Sequence, residues 1–164
     1  MDKFKSVCFS GHRPKSLIWG YNENHKQCKE LKEKLKTTIL SLINNGYNTF
    51  YNGMAEGFDL YAAEILNNLK NQGYNIKIIA CLPYKKQSMY YTEKNKELYS
   101  KILKNCDDIY IASNGEYFNG CTIIRNKYMV ENSSVLVCYL LSHVGGTANT
   151  VNIAKKKGLQ IIQL

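Results

Sequence analysis

The chain has 164 residues, of which 45% are hydrophobic and two are proline, and this profile predicts one packed domain over residues 1–164 and excludes a disordered chain. Its formal charge of +9 favours anionic partners, although arginine occurs only at Arg13 and Arg125, so the lysine excess is as compatible with solubility as with DNA binding. Since no apolar run reaches the roughly 20 residues of a membrane helix and no signal-peptide core is present, we expect a cytoplasmic protein.

Short β-branched or aromatic runs alternate with stretches of helical periodicity along the chain, which is typical of repeated β-α units and a mostly parallel sheet. Strands are predicted at Lys5–Ser10, Tyr47–Tyr51, Ile76–Cys81, Asp108–Ala112, Ser134–Leu140 and Gln160–Gln163. Helices are predicted at Lys26–Asn45, Gly57–Gln72, Ser88–Asn105, Cys121–Glu131 and Thr147–Lys157. The predicted fold class is therefore α/β, a Rossmann-like three-layer α/β/α sandwich with about six strands.

The carboxyl ends of parallel strands and the amino ends of the following helices form the ligand crevice of such a sheet. The first polar cluster, Ser10-Gly11-His12-Arg13, directly follows the first predicted strand. Gly11 permits a tight exit, and His12 and Arg13 then stand where they can face an anion. A surface turn with an incidental basic pair explains the same residues.

A second cluster, Asn52 to Asp59, joins the second strand to its helix. Gly53 and Gly57 allow the backbone to come close to a ligand, and Asp59 in the first helical turn could accept a hydrogen bond from a ribose hydroxyl. Capping of the helix is the simpler role for Asp59.

The third cluster opens the last helix and gives the strongest local signal. Gly145 and Gly146 expose backbone N–H groups, and Thr147 and Asn149 follow at the helix start, which predicts a phosphate cradle. The sequence is neither a Walker A loop nor a dinucleotide Gly-x-Gly-x-x-Gly motif, and a capping turn remains the alternative.

Arg125 is a further candidate, because it lies on an otherwise apolar predicted helix before the strand that carries this loop. A specific anionic partner is expected for it. A salt bridge to Glu131 or Asp59 would account for it equally.

In order, these clusters resemble the SLOG superfamily, the Rossmann-like group that joins the DNA-processing protein A proteins to the Lonely-Guy phosphoribohydrolases. The resemblance covers nearly the whole chain and rests on Ser-Gly-His-Arg-Pro, Gly-Met-Ala-Glu-Gly-Phe-Asp-Leu-Tyr-Ala-Ala-Glu, Pro83 with Gln87, and Arg-Asn-Lys-Tyr-Met before Gly-Gly-Thr. The nearest branch contains stand-alone bacterial and prophage proteins. The resemblance implies a pocket for nucleotides or ADP-ribose-like derivatives, usually in homodimers or larger oligomers. It also implies these pocket positions: Gly53, Gly57, Asp59, Arg125, Gly145, Gly146 and Thr147.

One departure from the family separates the functional hypotheses. The Lonely-Guy enzymes carry a catalytic glutamate three residues after the motif threonine, and this chain has Thr150 there. A threonine cannot act as a carboxylate does on an oxocarbenium-like centre. Glu56, His12 and Arg125 are the remaining catalytic candidates.

Our first hypothesis is a protein that binds a nucleotide-derived ligand, as a sensor or a sequestering protein. The second is an N-glycosidic hydrolase of nucleoside monophosphates, and the third is a single-stranded DNA-binding protein. The six cysteines are scattered without a Cys-x-x-Cys pair, so we predict no metal site, and we predict no cofactor.

Overall fold

The strands form a single parallel sheet in the computed structural model, which describes residues 2–164. They are β1 (Ser6–Ser10), β2 (Thr49–Asn52), β3 (Lys77–Leu82), β4 (Asp108–Ile111), β5 (Val135–Cys138) and β6 (Gln160–Gln163). The α-helices are α1 (Lys26–Asn44), α2 (Phe58–Asn71), α3 (Glu93–Asn105), α4 (Cys121–Glu131) and α5 (Gly146–Lys156). Short 3₁₀ turns occur at Lys3–Lys5, Pro14–Ser16 and Gln87–Tyr90.

The strand order is β4-β3-β2-β1-β5-β6, so the chain builds the sheet outward from β1 in two directions. Crossovers between parallel strands are right-handed, and reversing the direction of growth therefore moves the helices to the other face. The core confirms this arrangement. Phe9 packs on one face with residues of α1 and α2, while Cys8 packs on the other with residues of α4 and α5.

Coverage of both faces explains the composition of the central strands. All five residues of β1 are buried, as are all four residues of β5, and Val7 to Phe9 and Val135 to Cys138 accordingly appear in the sequence as continuous apolar runs. The predicted three-layer α/β/α sandwich is confirmed. Within the described residues, no helix combines the length and apolarity needed to cross a membrane.

The predicted helix Ser88–Asn105 is wrong at its start. Gln87–Tyr90 forms a 3₁₀ turn, and α3 begins only at Glu93. The Thr92 hydroxyl oxygen accepts from the Asn95 backbone N–H at 3.3 Å, and this capping contact sets the helix boundary. The predicted strand Ser134–Leu140 is likewise too long, because β5 ends at Cys138.

β1 and β5 are parallel neighbours at the point where the order of strand addition changes direction: β2 to β4 lie on one side of β1, and β5 and β6 lie on the other. These neighbouring strands pair from Val7 with Val135 to Ser10 with Cys138, so their carboxyl ends lie side by side. Such a switch point leaves an open crevice, because the following loops diverge to opposite faces. The topology therefore places a crevice beyond Ser10 and Cys138.

Candidate functional site

A cleft of about 480 Å³ opens at this switch point. It is lined by the loop Ser10 to Arg13 after β1, by Asp59 of α2, by Arg125 of α4 and by Gly145 to Thr147 at the start of α5. Four clusters that are far apart in the sequence thus contribute to one cavity. Its size falls within the range of small-molecule sites, roughly 300–1,000 Å³.

The start of α5 presents unpaired backbone donors at the cleft. Gly145 precedes the helix with φ 101° and ψ −175°, a conformation that is essentially restricted to glycine. Within residues 2–164 no side chain caps α5, and no backbone carbonyl accepts from its first three N–H groups. These donors and the positive end of the helix dipole make this position favourable for an anion.

Arg125 forms the floor of the cleft and is only 3% exposed. Its Nη1 donates to the carbonyl of Gly53 and, at 3.2 Å, to the carbonyl of Cys81. Its Nε donates to Asn126 Oδ1 at 2.7 Å. Nη2 has no hydrogen-bond partner among residues 2–164, so its N–H groups, at one edge of the guanidinium, remain available to a ligand.

The alternative role of Arg125 in a salt bridge is not supported. Glu131 pairs with Lys157 at 3.4 Å, and no contact ion pair joins Arg125 to Asp59. The Arg125 charge nevertheless acts on Asp59. Burial raises the pKa of the Asp59 carboxyl, and the nearby guanidinium opposes that rise.

Asn126 and Thr150 connect Arg125 to the start of α5. Asn126 Nδ2 donates to Thr150 Oγ1 at 2.9 Å, and the Thr150 hydroxyl donates to the carbonyl of Gly146 at 2.9 Å. Thr150 is fully buried. The residue at the position of the Lonely-Guy glutamate therefore supports the loop from beneath, and its hydroxyl is already engaged as both donor and acceptor.

Asp59 is 6% exposed and lines the cleft. It lies in the first turn of α2 but does not cap the helix. The N-cap position is Gly57, and within residues 2–164 no side chain caps this end of α2. The Asn52 side chain donates to the Asp59 carbonyl at 2.8 Å and fixes the backbone there. The capping alternative is therefore wrong.

The predicted glycines of the first two clusters serve close packing. A Cβ on Gly57 would lie 2.5 Å from the His12 carbonyl oxygen, and a Cβ on Gly53 would lie 2.6 Å from Asp59 Oδ2. A Cβ on Gly11 would overlap the ring of Phe58. Gly11 borders the cleft, whereas Gly53 and Gly57 do not line it and instead permit its walls to meet.

His12 connects two of these walls. Its Nε2 accepts from the Leu141 backbone N–H at 2.9 Å, and its carbonyl accepts from the Phe58 N–H at 3.2 Å. The same ring lines the cleft, and partial burial lowers its pKa. Arg13 is exposed at the cleft and has no salt bridge within the described part of the chain.

Besides Gly53 and Gly57, two further predicted residues do not line the cavity. Glu56 does not line it, and its carboxylate accepts hydrogen bonds from the Tyr21 hydroxyl, the Thr92 backbone N–H and the Asn95 side chain, at 2.8 to 3.1 Å. This places Glu56 as an anchor for α3. Asn149 is exposed and is also absent from the lining.

Several lining residues were missed by sequence reasoning. Lys15 adds a cation beside Arg13, and Asn126 adds a buried amide. Others supply hydroxyl groups: Ser16, Thr122 and Ser142. Lys15 follows Pro14 in a 3₁₀ turn, and the basic pattern Arg-Pro-Lys was the available signal for it.

The residues described by the structure contain no group of three or more His, Cys, Asp or Glu side chains arranged to hold a metal ion. All six cysteines are free thiols, and five of them are buried. Among the described residues, the cleft presents backbone donors, cations, hydroxyl groups, the His12 imidazole and one carboxylate.

Curated bacterial proteins resemble most of the chain. A UPF0398 protein of Halalkalibacterium halodurans is 26% identical over 158 residues, which cover 95% of this chain and 83% of that protein. The SPbeta prophage-derived protein YoqJ of Bacillus subtilis is 32% identical over 140 residues, which cover 77% of this chain and 81% of YoqJ. A prophage relative is thus present among the similar proteins.

Two solved structures share the fold. DNA processing protein A from Streptococcus pneumoniae superposes with a TM-score of 0.64 at 19% identity, over 98% of this chain and 50% of that one. Its Helicobacter pylori counterpart, described for its single-stranded DNA binding mode, gives a TM-score of 0.67 at 16% identity, over 99% and 65%. This chain therefore spans about half to two thirds of the two neighbours.

A family model also matches most of the chain. Residues 7–160, from within β1 to the start of β6, match the YspA SLOG family. Because this match covers nearly the whole sheet and every wall of the cleft, the chain belongs to the YspA SLOG family.

Proposed function

We propose that this protein binds a nucleotide or a nucleotide-derived phosphate ligand in the cleft between β1 and β5, as a sensor or a sequestering protein. The observation that carries this proposal is the convergence of the uncapped start of α5 with Arg13 and Lys15 at one cavity, whose floor holds the buried Arg125. Unpaired N–H groups and cations in a concave site are the usual means of holding phosphate.

The buried charges support a polar ligand. A guanidinium that is 3% exposed has lost most of its hydration, and acceptors that replace that water lower the free-energy cost of burying its charge. Three protein acceptors serve Nε and Nη1 of Arg125, and a ligand acceptor would serve Nη2. An apolar ligand would leave this donor without a partner.

The cleft provides weak support for the hydrolase alternative. Asp59 is the one carboxylate lining it within residues 2–164, whereas glycoside cleavage commonly uses two. Glu56 is engaged by three donors elsewhere, and the Thr150 hydroxyl is engaged by Asn126 and Gly146. We therefore favour binding without turnover.

Single-stranded DNA is the second candidate ligand. The net charge of +9 and the fold shared with two DNA processing A proteins favour it. Binding of that kind weakens steeply with salt, because phosphate neutralisation releases counterions. The affinity for an oligothymidylate, measured by anisotropy across a salt series, would separate it from a ligand held in a cleft.

The proposal is tested at Gly146, where an added Cβ meets no atom within 4 Å. Gly146→Asp places a carboxylate at the phosphate position, and Gly146→Ala is the matched neutral control. Calorimetric titration with AMP and ADP-ribose should show an affinity at least about tenfold weaker for the aspartate variant, by charge repulsion, and little change for the alanine variant. Mass spectrometry of small molecules released from the denatured wild-type protein would identify a resident ligand.

Equal affinity of the aspartate variant and the wild type would contradict a phosphate at the start of α5. The proposal would also be contradicted if the refolded wild-type protein bound neither AMP nor ADP-ribose nor any small molecule released from it.

A further inference from the structure

The lining of the cleft divides into two parts of different charge. The rim consists of Arg13, Lys15 and the start of α5, all of which favour an anion. The floor consists of Asp59 and Arg125, which are 6% and 3% exposed and of opposite charge. The two parts would contact different portions of one ligand.

Asp59 decides which portion faces the floor. Its carboxylate accepts no hydrogen bond from any side chain in the described residues, although the nearby Ala55 backbone N–H and Arg125 stabilise its charge. A phosphate placed against this carboxylate would bring two anions together in a poorly hydrated site. The phosphate therefore belongs at the rim, and a neutral hydrogen-bonding group belongs at the floor.

The floor offers an acceptor and a donor side by side. The Cβ position of Gly53 lies 2.6 Å from Asp59 Oδ2 and also touches the Arg125 guanidinium, so the two groups flank the same point of the β2–α2 loop. Nη1 of this guanidinium is engaged by the carbonyls of Gly53 and Cys81, whereas Nη2 has no partner within residues 2–164. A carboxylate beside a guanidinium that keeps unused N–H groups suits two adjacent hydroxyls, one donating and one accepting.

We propose that Asp59 and Arg125 bind the vicinal hydroxyls of a ribose, so that the cleft selects ribonucleotides over deoxyribonucleotides. This inference rests on the proposed function, since it assumes that the rim holds the phosphate of the same ligand. It names Asp59 as the specificity-determining residue and disfavours DNA as the occupant of the cleft.

The floor is rigid enough to discriminate. Arg125 is fixed by three acceptors, and the Asp59 backbone is fixed by Asn52. Because neither group can move far, a missing hydroxyl leaves a desolvated donor or acceptor unpaired. Such a loss costs about 1–3 kcal/mol, or roughly 5- to 150-fold in affinity.

The inference is tested first on the wild-type protein, so that no variant has to fold. Calorimetry compares four ribonucleoside 5′-monophosphates with their 2′-deoxy forms, and ribose 5-phosphate with 2-deoxyribose 5-phosphate to remove any effect of the base. Each ribose compound that binds should bind at least about fivefold more tightly than its deoxy form.

Asp59→Asn then identifies the residue responsible. It keeps the size of the side chain and removes the charged acceptor, so the ribose preference should shrink to about twofold or less while the deoxy compounds keep their affinity. A thermal melt establishes that the variant is folded. Glu33→Gln, which removes an exposed carboxylate outside the cleft, is the matched control and should retain the full preference.

The outcomes separate the two proposals. Equal affinity of ribose and deoxyribose compounds for the wild type would overturn the inference and leave the phosphate site standing. A preference that survives intact in folded Asp59→Asn would overturn the role of Asp59. If no compound of either series binds, both the inference and the proposed function fail for these ligands.

Discussion

Two strand-to-helix junctions of this protein each contain a pair of glycines, and they use them in opposite ways. In the β2–α2 junction, side chains at Gly53 and Gly57 would collide with Asp59, Arg125 and the His12 carbonyl. In the β5–α5 junction, a Cβ on Gly145 or Gly146 would meet nothing within 4 Å. The first pair exists for packing inside the protein. The second pair leaves space at the cleft. The β2–α2 junction therefore has a structural role, whereas the β5–α5 junction is open to contact with a ligand.

The largest effect is expected at Gly57. Its φ of 89° is unfavourable for other residues, and a Cβ would lie 2.5 Å from a backbone oxygen that cannot yield. Gly57→Ala should therefore lower the free energy of unfolding by about 3 kcal/mol or more, through backbone strain and overpacking together. Chemical denaturation measures the change. A loss below about 1 kcal/mol would mean that the junction adapts, and the contrast with β5–α5 would weaken.

A smaller loss is expected beneath the β5–α5 junction, where Thr150 provides the support. Thr150→Val removes the hydroxyl and leaves the buried Asn126 amide without its acceptor, at a cost of about 1–3 kcal/mol. Thr150→Ser keeps the hydroxyl and should lose less. If valine and serine variants unfold at the same denaturant concentration, the hydrogen bonds contribute little and the packing of the methyl group dominates.

His12 joins the two junctions and adds a pH dependence. Because burial lowers its pKa, the unfolded chain takes up a proton first as the pH falls below about 6.5. Stability from the neutral ring is thus complete above that pH and decreases as the pH falls through the folded-state pKa. His12→Asn, with an acceptor that does not titrate, should show a flatter stability profile between pH 7 and pH 5. Parallel profiles for the two proteins would rule out this contribution.

The smallest effect on stability is expected at Gly146. Gly146→Ala adds a methyl group in open space at the first position of α5, so the free energy of unfolding should change by no more than about 0.5 kcal/mol. Thermal denaturation with and without AMP checks both stability and binding. A large loss without ligand would place Gly146 among the packing glycines and remove the contrast between the junctions.

Much of the fold was accessible from the sequence because buried parallel strands and amphipathic helices leave strong patterns. The run around Val135 and the stripe Leu31, Leu35, Ile39 and Leu42 are of this kind. The strand order was not accessible, because it depends on long-range pairing such as Val7 with Val135. The general rule that ligands bind beyond strand ends nevertheless predicted that Ser10, Asp59 and Gly145 lie near one another, and all three line the cleft.

Side-chain direction within a loop was the main failure. Met54 is a buried residue with φ 58°, held by its N–H donating to Asn52 Oδ1 at 2.7 Å. In the loop that follows, Glu56 turns towards Tyr21 and Asn95 and away from the cleft. Neither periodicity nor composition encodes such a turn, so Glu56 was retained as a catalytic candidate and Lys15 was overlooked.

Arg125 joins three elements, since it lies on α4 and donates to carbonyls of the β2–α2 loop and of β3. A ligand that engages its remaining N–H groups would make local opening of α4 more costly, because the helix could leave the sheet only by giving up that ligand as well. Amide hydrogen exchange along Cys121–Glu131 would then slow on binding, even in turns that never touch the ligand. The exchange rates of α4 would therefore report whether the cleft is occupied.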